Sequence, residues 1–277
     1  MKVDCHIHML FDGIDWRAAI ARHREGPDEA FVRSTLEAYR QKGYTYLRDG
    51  GDRWGVGACA ARLAPEYGIR YVTPLAPLCL KGHYGSFIGL CYEDLREYAD
   101  LVVSHRKNGA DFIKIMISGI MDFDRFGILT EAGQPPERIR QLVHIAHQEG
   151  MTVMAHCNGA RTLEAAAAAG VDSVEHGAYS DGDSLAAMAE ANVVWVPTVS
   201  TVANLRGKGR HDDGVVSAIF DHFADNLRAF AAMGGCIASG SDAGAWQVTH
   251  GCDTEDAILK AVGIDPAAGN RAIRTKF

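Results

Sequence analysis

The stretch TVMAHCNGARTLEAAAAAGVDSVEHG, residues 152–177, decides the fold. Its opening, TVMAH (152–156), reads as a short buried strand. Residues 159–169 then read as an alanine- and leucine-rich helix, ended by Gly170 where a glycine helix stop is expected. DSVE (172–175) begins the next strand. Strand, helix, glycine and strand in so few residues form one β–α–β unit.

The same unit recurs in both directions along the chain. Further strands are expected near 3–8, 44–48, 69–75, 111–117, 193–197 and 236–240. Helices are expected over 28–42, 56–66, 93–107, 136–149, 183–191, 215–233 and 253–262. Leu95, Leu101 and Val102, or Ile139, Leu142, Val143 and Ala146, recur at helical spacing, and Gly43, Gly68, Gly109 and Gly150 close helices as Gly170 does. Eight strand–helix units in 277 residues fit an α/β, (β/α)8 TIM barrel, read as a single domain over 1–277. A doubly wound sheet would normally carry a GxGxxG phosphate loop, and the sequence has none. No linker-like composition break divides the chain.

Composition removes several function classes. With 47% hydrophobic and 23% charged residues the chain is no disordered segment, and no apolar run reaches the roughly 18 residues of a membrane span. A net charge of −7 without basic runs argues against nucleic-acid binding. MKVDCHIHML has no signal-peptide pattern, and seven cysteines, odd in number and never spaced CxxC, read as reduced thiols. A cytoplasmic location is the expectation, with a small-molecule substrate, no membrane partner and a homo-oligomer left open.

The twelve histidines carry the chemistry. Barrel enzymes place their reactive groups where strands end and βα loops begin. The first strand ends in His6-Ile7-His8, which sets both imidazoles on one face while Cys5 and Ile7 are expected to face outward. Lys114 sits inside the apolar fourth strand, where an unpaired ammonium is costly and burial lowers the amine pKa. Such an amine is available to capture carbon dioxide as a carbamate able to bridge two metal ions. His156 ends the fifth strand, His176 follows the sixth and Asp242 the eighth. Asp242 also stands where a helix N-cap is plausible. Zinc and similar divalent ions favour mixed imidazole and carboxylate sets.

This constellation resembles the binuclear amidohydrolase superfamily, and within it the imidazolonepropionase-like and Xaa-Pro/Zn-dipeptidase-like branch. GYTYLRDGGD (43–52), KGHYG (81–85), DFIKIMISG (111–119), VVWVPT (193–198) and SGSDAG (239–244) are similar to that branch, as is residues 156–177. The resemblance implies His6 and His8 on one metal, His156 and His176 on a second, a carboxylated Lys114 bridging them, and Asp242 completing the first site. It implies two divalent ions, zinc first with manganese or iron as alternatives, and a metal-bridging hydroxide that attacks a C–N bond. Asp242 would move the proton to the leaving amine. The family commonly carries a small β-sandwich; with the first strand starting at residue 2 or 3, a barrel-only member is expected.

Loops are expected to set specificity. His83 and Tyr84 follow the third strand, and His83 is read as polarising the substrate carbonyl or holding a carboxylate. Arg206, Lys208, Arg210 and His211 form a local basic cluster suited to an anionic substrate group, although a solvated loop would read the same way. Tyr179 and Trp246 stand beside the proposed ligands. His23 and His250 are read as rim residues, and His105, His144, His147 and His222 as surface residues of helices. The favoured activity is hydrolysis of a small amide, cyclic amide or dipeptide-like substrate. Lactonase or phosphotriesterase chemistry, a lyase or decarboxylase on the same scaffold, and a non-catalytic metal-binding protein are the alternatives.

Overall fold

The computed structural model describes residues 2–277. In chain order it contains β1 (Lys2–Ile7), α1 (Trp16–Arg22), α2 (Glu29–Gln41), β2 (Tyr44–Asp49), α3 (Val56–Leu63), β3 (Arg70–Val72), β4 (Leu78–Leu80), β5 (Leu90–Tyr92) and α4 (Leu95–Lys107). Then follow β6 (Ile113–Met116), α5 (Pro136–Gln148), β7 (Val153–Cys157), α6 (Ala160–Ala169), β8 (Ser173–His176), α7 (Gly182–Glu190) and β9 (Val194–Val196). The last elements are α8 (Ser200–Ala203), α9 (Asp213–Ala232), β10 (Cys236–Ile237), α10 (Thr254–Ala261) and α11 (Ala267–Lys276). Local chemistry explains many boundaries. Asp28, Asp94, Asp181 and Asp212 cap α2, α4, α7 and α9 by accepting first-turn backbone N–H groups. Gly170 ends α6 at φ 83°, a conformation that excludes most side chains.

All paired strands run parallel, in the orders β1-β2-β3 and β10-β9-β8-β7-β6-β4-β5. Backbone hydrogen bonds join the two sets. Cys5 N donates to Ser239 O at 2.8 Å, Asp242 N to His6 O at 2.8 Å and His8 N to Ala243 O at 2.8 Å, which seats the chain after β10 on β1. On the other edge Asp111 N donates to Thr73 O at 3.0 Å. The result is a (β/α)8 barrel with all eight expected strands. Its third position is split: β3 pairs with β2, β4 pairs with β6, and Leu75 at φ 65° turns the chain between them.

Three buried clusters hold the layers together. The largest lies between β6–β9 and their covering helices and includes Ile139, Leu142, Val143 and Ala146, the face expected for α5. A second packs Ile7 and Leu47 against Leu36, Tyr39 and Ala60 of α2 and α3. The third fills the barrel's lower interior with Tyr46, Phe112, Met154 and Val196, and it includes Ile273 of α11 and Phe277. Phe277 sets its ring 5.2 Å from that of Phe112, and Arg70 donates to the Phe277 and Arg274 carbonyls. The helix α11, absent from the sequence expectation, thus covers the end of the barrel where strands begin.

Two placements differ from expectation. Cys5 belongs to the interior cluster rather than to the helix-facing one that contains Ile7, because β1 carries a register irregularity between Asp4 and Ile7. His105 is buried, not a surface residue: its ring bonds the Leu101 and Ala76 carbonyls, each at 2.9 Å, and ties α4 to the chain before β4.

Candidate metal centre

Six side chains converge at the end of the barrel where the strands finish. His6 and His8 come from β1 and the residue after it, Lys114 from β6, His156 from β7, His176 from the end of β8, and Asp242 from the turn after β10. His6 Nε2 lies 3.2 Å from Lys114 Nζ and 3.6 Å from Asp242 Oδ1, and His8 Nε2 lies 3.4 Å from the same carboxylate oxygen. The imidazole rings form a continuous arc: His6–His8 centroids are 5.3 Å apart, His6–His176 5.2 Å and His156–His176 4.6 Å. His6, His8 and Asp242 each offer a ligand atom within 4.8 Å of the others, a group able to hold one metal ion.

The surroundings orient each ring. His6 Nδ1 donates to Glu175 Oε2 at 2.6 Å, which leaves Nε2 with its lone pair facing Lys114 and Asp242. His156 Nε2 donates to the Gly119 carbonyl at 3.2 Å, freeing Nδ1. His176 Nδ1 meets Thr198 Oγ1 at 2.7 Å, which frees Nε2 when the ring donates. Gly50 makes room for His8: a Cβ there would fall 2.2 Å from His8 Cε1. His176, Thr198 and Asp242 all have positive φ (68°, 52° and 57°). For β-branched Thr198 this is a strained conformation, and its concentration beside the site marks where the fold spends stability on geometry.

Electrostatics favour ligand chemistry over ordinary ion pairing. Burial, then Lys114, holds the His6 and His8 pKa values well below the ordinary range, and burial lowers His156 to about 3, so these rings are neutral donors. Burial lowers Lys114 to about 8 against the opposing pull of Glu175 and Asp242. Burial likewise pushes Asp242 up to about 8, with Lys114 opposing. His8 Nδ1 and Asp242 Oδ1 are buried without a hydrogen-bond partner. Orphaned buried polar atoms are costly, and a cation among neutral imidazoles and a carboxylate would satisfy this donor set. The residues present therefore fit a divalent metal.

Above the centre opens a cavity of about 500 Å³. His8, Lys114, His156, His176 and Asp242 line its floor, while Phe11, Trp16, Tyr84, Phe87, Phe123 and Trp246 make aromatic walls, and Arg17 and Arg210 bring positive charge. Tyr84 lies over His156 with centroids 4.7 Å apart, and the Arg210 guanidinium is 5.8 Å from the Trp246 ring. Of the loop residues read as substrate contacts, Tyr84, Arg210 and Trp246 line this cavity.

The others do not. His83 is exposed and paired with Glu131, whose second oxygen accepts from Tyr84 N at 2.8 Å. Arg206 turns onto Phe220, 4.7 Å from its ring, and His211 Nδ1 bonds Asp124 at 3.0 Å. Tyr179 packs edge-on against Phe126, 5.4 Å away. Two residues read as rim histidines are structural: His23 is buried and accepts from Asp28 N at 3.0 Å, and His250 bonds Tyr39 and the Phe11 carbonyl.

The support beneath the centre gives little sign of itself in the sequence. Wholly buried Arg48 donates to Cys5 O at 2.6 Å, Ser173 Oγ at 2.9 Å and Glu175 Oε1 at 2.8 Å, linking β2 across the barrel to β8. The remainder of the RDGGD segment is equally engaged: Asp49 accepts from Met9 N at 3.2 Å, and Asp52 accepts the Val56 and Gly57 N–H groups that open α3.

A parallel-strand barrel with imidazole, lysine and carboxylate groups gathered at the strand ends defines a class of TIM barrels with a candidate metal centre. The chain belongs to the amidohydrolase family, whose model matches residues 3–270. It is 26% identical over 281 aligned positions to the ochratoxinase of Aspergillus niger, covering 86% of this chain and 56% of that protein. The chain thus spans little more than half the length of this curated relative. Among solved structures, a Xaa-Pro dipeptidase with bound methionine has 22% identity and a TM-score of 0.77, covering 99% of this chain and 75% of that one. The A. niger ochratoxinase structure also has 22% identity, with a TM-score of 0.72 over 98% and 68%. These likenesses extend the barrel fold along nearly the whole chain. No helix among the described residues is long and apolar enough to cross a membrane.

Proposed function

We propose that the chain is a metal-dependent hydrolase that cleaves the C–N bond of a small amide, cyclic amide or dipeptide-like substrate carrying an anionic group. One observation carries this reading: His8, Lys114, His156, His176 and Asp242 form the floor of an aromatic cavity that also holds Arg17 and Arg210, with His6 buried beside Lys114 at 3.2 Å. The names of the relatives, a dipeptidase and an ochratoxinase, accord with it.

In this reading His6, His8 and Asp242 would hold one divalent ion and His156 and His176 a second, with Lys114, as its carbamate, contributing a ligand to the centre. Zinc suits the donor set, with manganese or iron as alternatives. The bound ions would supply Lewis acidity, activating water and polarising the amide carbonyl. The chain's own groups do the rest. Asp242, with Oδ1 3.4 Å from His8 Nε2 and facing the cavity, accepts the proton of the attacking water and returns it to the departing nitrogen. Arg210 holds the anionic group, and Tyr84, Phe123 and Trp246 exclude water and orient the rest. His83 is left out of this machinery, since its ring is engaged by Glu131. A cytoplasmic location belongs to the same reading, on the seven unpaired cysteines.

The test joins metal analysis to turnover. Purified protein should take up zinc in the presence of bicarbonate and hydrolyse members of a dipeptide and N-acyl amino acid panel, losing activity to a chelator. Failure to take up metal overturns the proposal, and turnover of lactones without amides replaces it with ester hydrolysis.

A further inference from the structure

The strands β4 and β5, at the two ends of one loop, hold a pair of thiols outside the proposed metal centre. Cys79 and Cys91 are register partners on these two parallel strands, twelve positions apart, with Sγ atoms 3.3 Å from each other. Register partners direct side chains to the same face of strands about 4.8 Å apart. That spacing lies within the roughly 4.4–6.8 Å between Cα atoms that a disulfide spans. Both are free thiols, Cys79 buried and Cys91 exposed.

The loop is clamped and folded back on the pair. Lys81 N donates to Tyr92 O at 2.9 Å and Leu90 N to Pro77 O at 2.9 Å, so the two strands fix its ends. Gly89 permits the close return, since a Cβ there would sit 2.5 Å from Pro77 O and 3.3 Å from Cys79 Sγ. The turn then sets Tyr84 against His156 and Phe87 5.7 Å from Trp16, as part of the cavity wall.

We propose that Cys79 and Cys91 form a redox-modifiable dithiol which a low-molecular-weight disulfide converts to an intrachain disulfide, altering the Tyr84–Phe87 wall of the cavity above the metal centre. The consequence for turnover rests on the hydrolase reading; the thiol chemistry does not. Exposed Cys91 is the point of entry. Its thiolate attacks one sulfur of the oxidant, forming a mixed disulfide and expelling the first small thiol. Cys79 Sγ then attacks Cys91 Sγ, breaking the mixed disulfide; the second departing thiolate takes the Cys79 proton. One oxidant molecule gains two electrons and leaves as two thiols, and the protein gains one S–S bond. Burial and the neighbouring Cys91 thiol push Cys79 up to about 12, which suits it to the second, intramolecular step and not to the first.

Closing 3.3 Å to a bonded sulfur pair draws the two Sγ atoms together by about 1 Å, at the two ends of the loop that carries Tyr84 and Phe87. A misplacement of that size at a reacting geometry costs up to about 100-fold, so an oxidised protein should lose roughly tenfold in kcat/KM. The experiment treats the native protein with glutathione disulfide, blocks remaining thiols and maps peptides by mass. The expected result is a linked Cys79–Cys91 peptide, loss of two of the seven thiols and reversal by dithiothreitol. In C79S, Cys91 should stop at the glutathione adduct; in C91S, Cys79 should remain unmodified. Recovery of both cysteines as alkylated thiols after oxidation overturns the dithiol. A linked peptide with unchanged kcat/KM on a turned-over substrate overturns the coupling alone. Absence of turnover in the reduced, metal-loaded protein as well is failure of the hydrolase reading, and leaves the peptide map to decide the thiol chemistry.

Discussion

Replacing Glu175 by Gln should weaken the molecule in two separable ways. Glu175 is wholly buried and is shared by Arg48, Ser173 and His6 at 2.8, 2.5 and 2.6 Å. A carboxylate accepts from all three, whereas the amide turns an N–H₂ toward one of them and removes the charge beside a buried guanidinium. Breaking a buried ion pair from one side costs about 3–5 kcal/mol. At about 2–4 °C per kcal/mol for a chain near this size, the melting temperature should fall by roughly 6–20 °C. His6 also loses the acceptor that fixes its tautomer, and such losses weaken metal affinity about 10–100-fold. Thermal melts of metal-free protein read the first effect, and zinc competition against a chromophoric chelator reads the second. The double variant R48M/E175Q removes the stranded cation, so it should regain at least about half of the lost stability. It should not regain zinc affinity. An E175Q protein that melts and binds zinc like the parent would overturn both roles of Glu175, and a double variant no more stable than the single one would overturn the stranded-charge cost.

Four further outcomes follow from other parts of the structure. Gly50→Ala forces a Cβ to within 2.2 Å of His8 Cε1, so the protein should keep its circular dichroism spectrum yet take up less zinc by elemental analysis. Arg210→Met should raise KM for anionic amides by roughly 10- to 100-fold, the worth of a charge-assisted hydrogen bond, without changing KM for a neutral analogue. Arg206→Met, whose parent side chain turns onto Phe220, should leave both unchanged. Glu255, buried under Val199 and Ser200, is pushed by burial from 4.5 to about 7, so it binds a proton more readily in the folded state. Its contribution to stability is fully present below pH 4.5 and is lost as pH rises to 7. Chemical denaturation should therefore show Glu255→Gln gaining up to about 3 kcal/mol on the parent between pH 5 and pH 8; a pH-independent difference would refute this.

The barrel was legible because its signal is periodic and repeated. The α5 face of Ile139, Leu142, Val143 and Ala146 is buried as spaced, and each expected strand is found within a few residues. Elements without such periodicity escaped. β4 and β5 contain three residues each, too few to show alternation, and β5 is paired only with β4, across the loop that folds back between them. In α11 only Gly269 and Ile273 are buried, so its sequence does not announce a helix that covers the barrel's end.

The site divides along the same line. Ligand candidates could be read from strand ends because chain position alone brings His6, Lys114, His156, His176 and Asp242 to one end of a parallel barrel. Arg48 and Glu175 could not, because their pairing spans the barrel and a charged residue within a strand gives no sign of its partner. Interior parity at Ser173 and Glu175 was the available signal. Loop residues were the least legible: Arg206, Arg210 and His211 are nearly adjacent in sequence, yet only Arg210 reaches the cavity, because Phe220 and Asp124 hold the others.

Six side chains from the ends of five strands, His6 and His8 sharing that of β1, are proposed to form one centre for two divalent ions. Anomalous diffraction from crystals grown with zinc and bicarbonate tests it most directly. Two zinc peaks are expected, one among His6, His8 and Asp242 and one between His156 and His176, with carbamate density on Lys114 joining them. Crystals of zinc-loaded protein whose anomalous peaks lie only away from these residues, with Lys114 an unmodified amine, would contradict it.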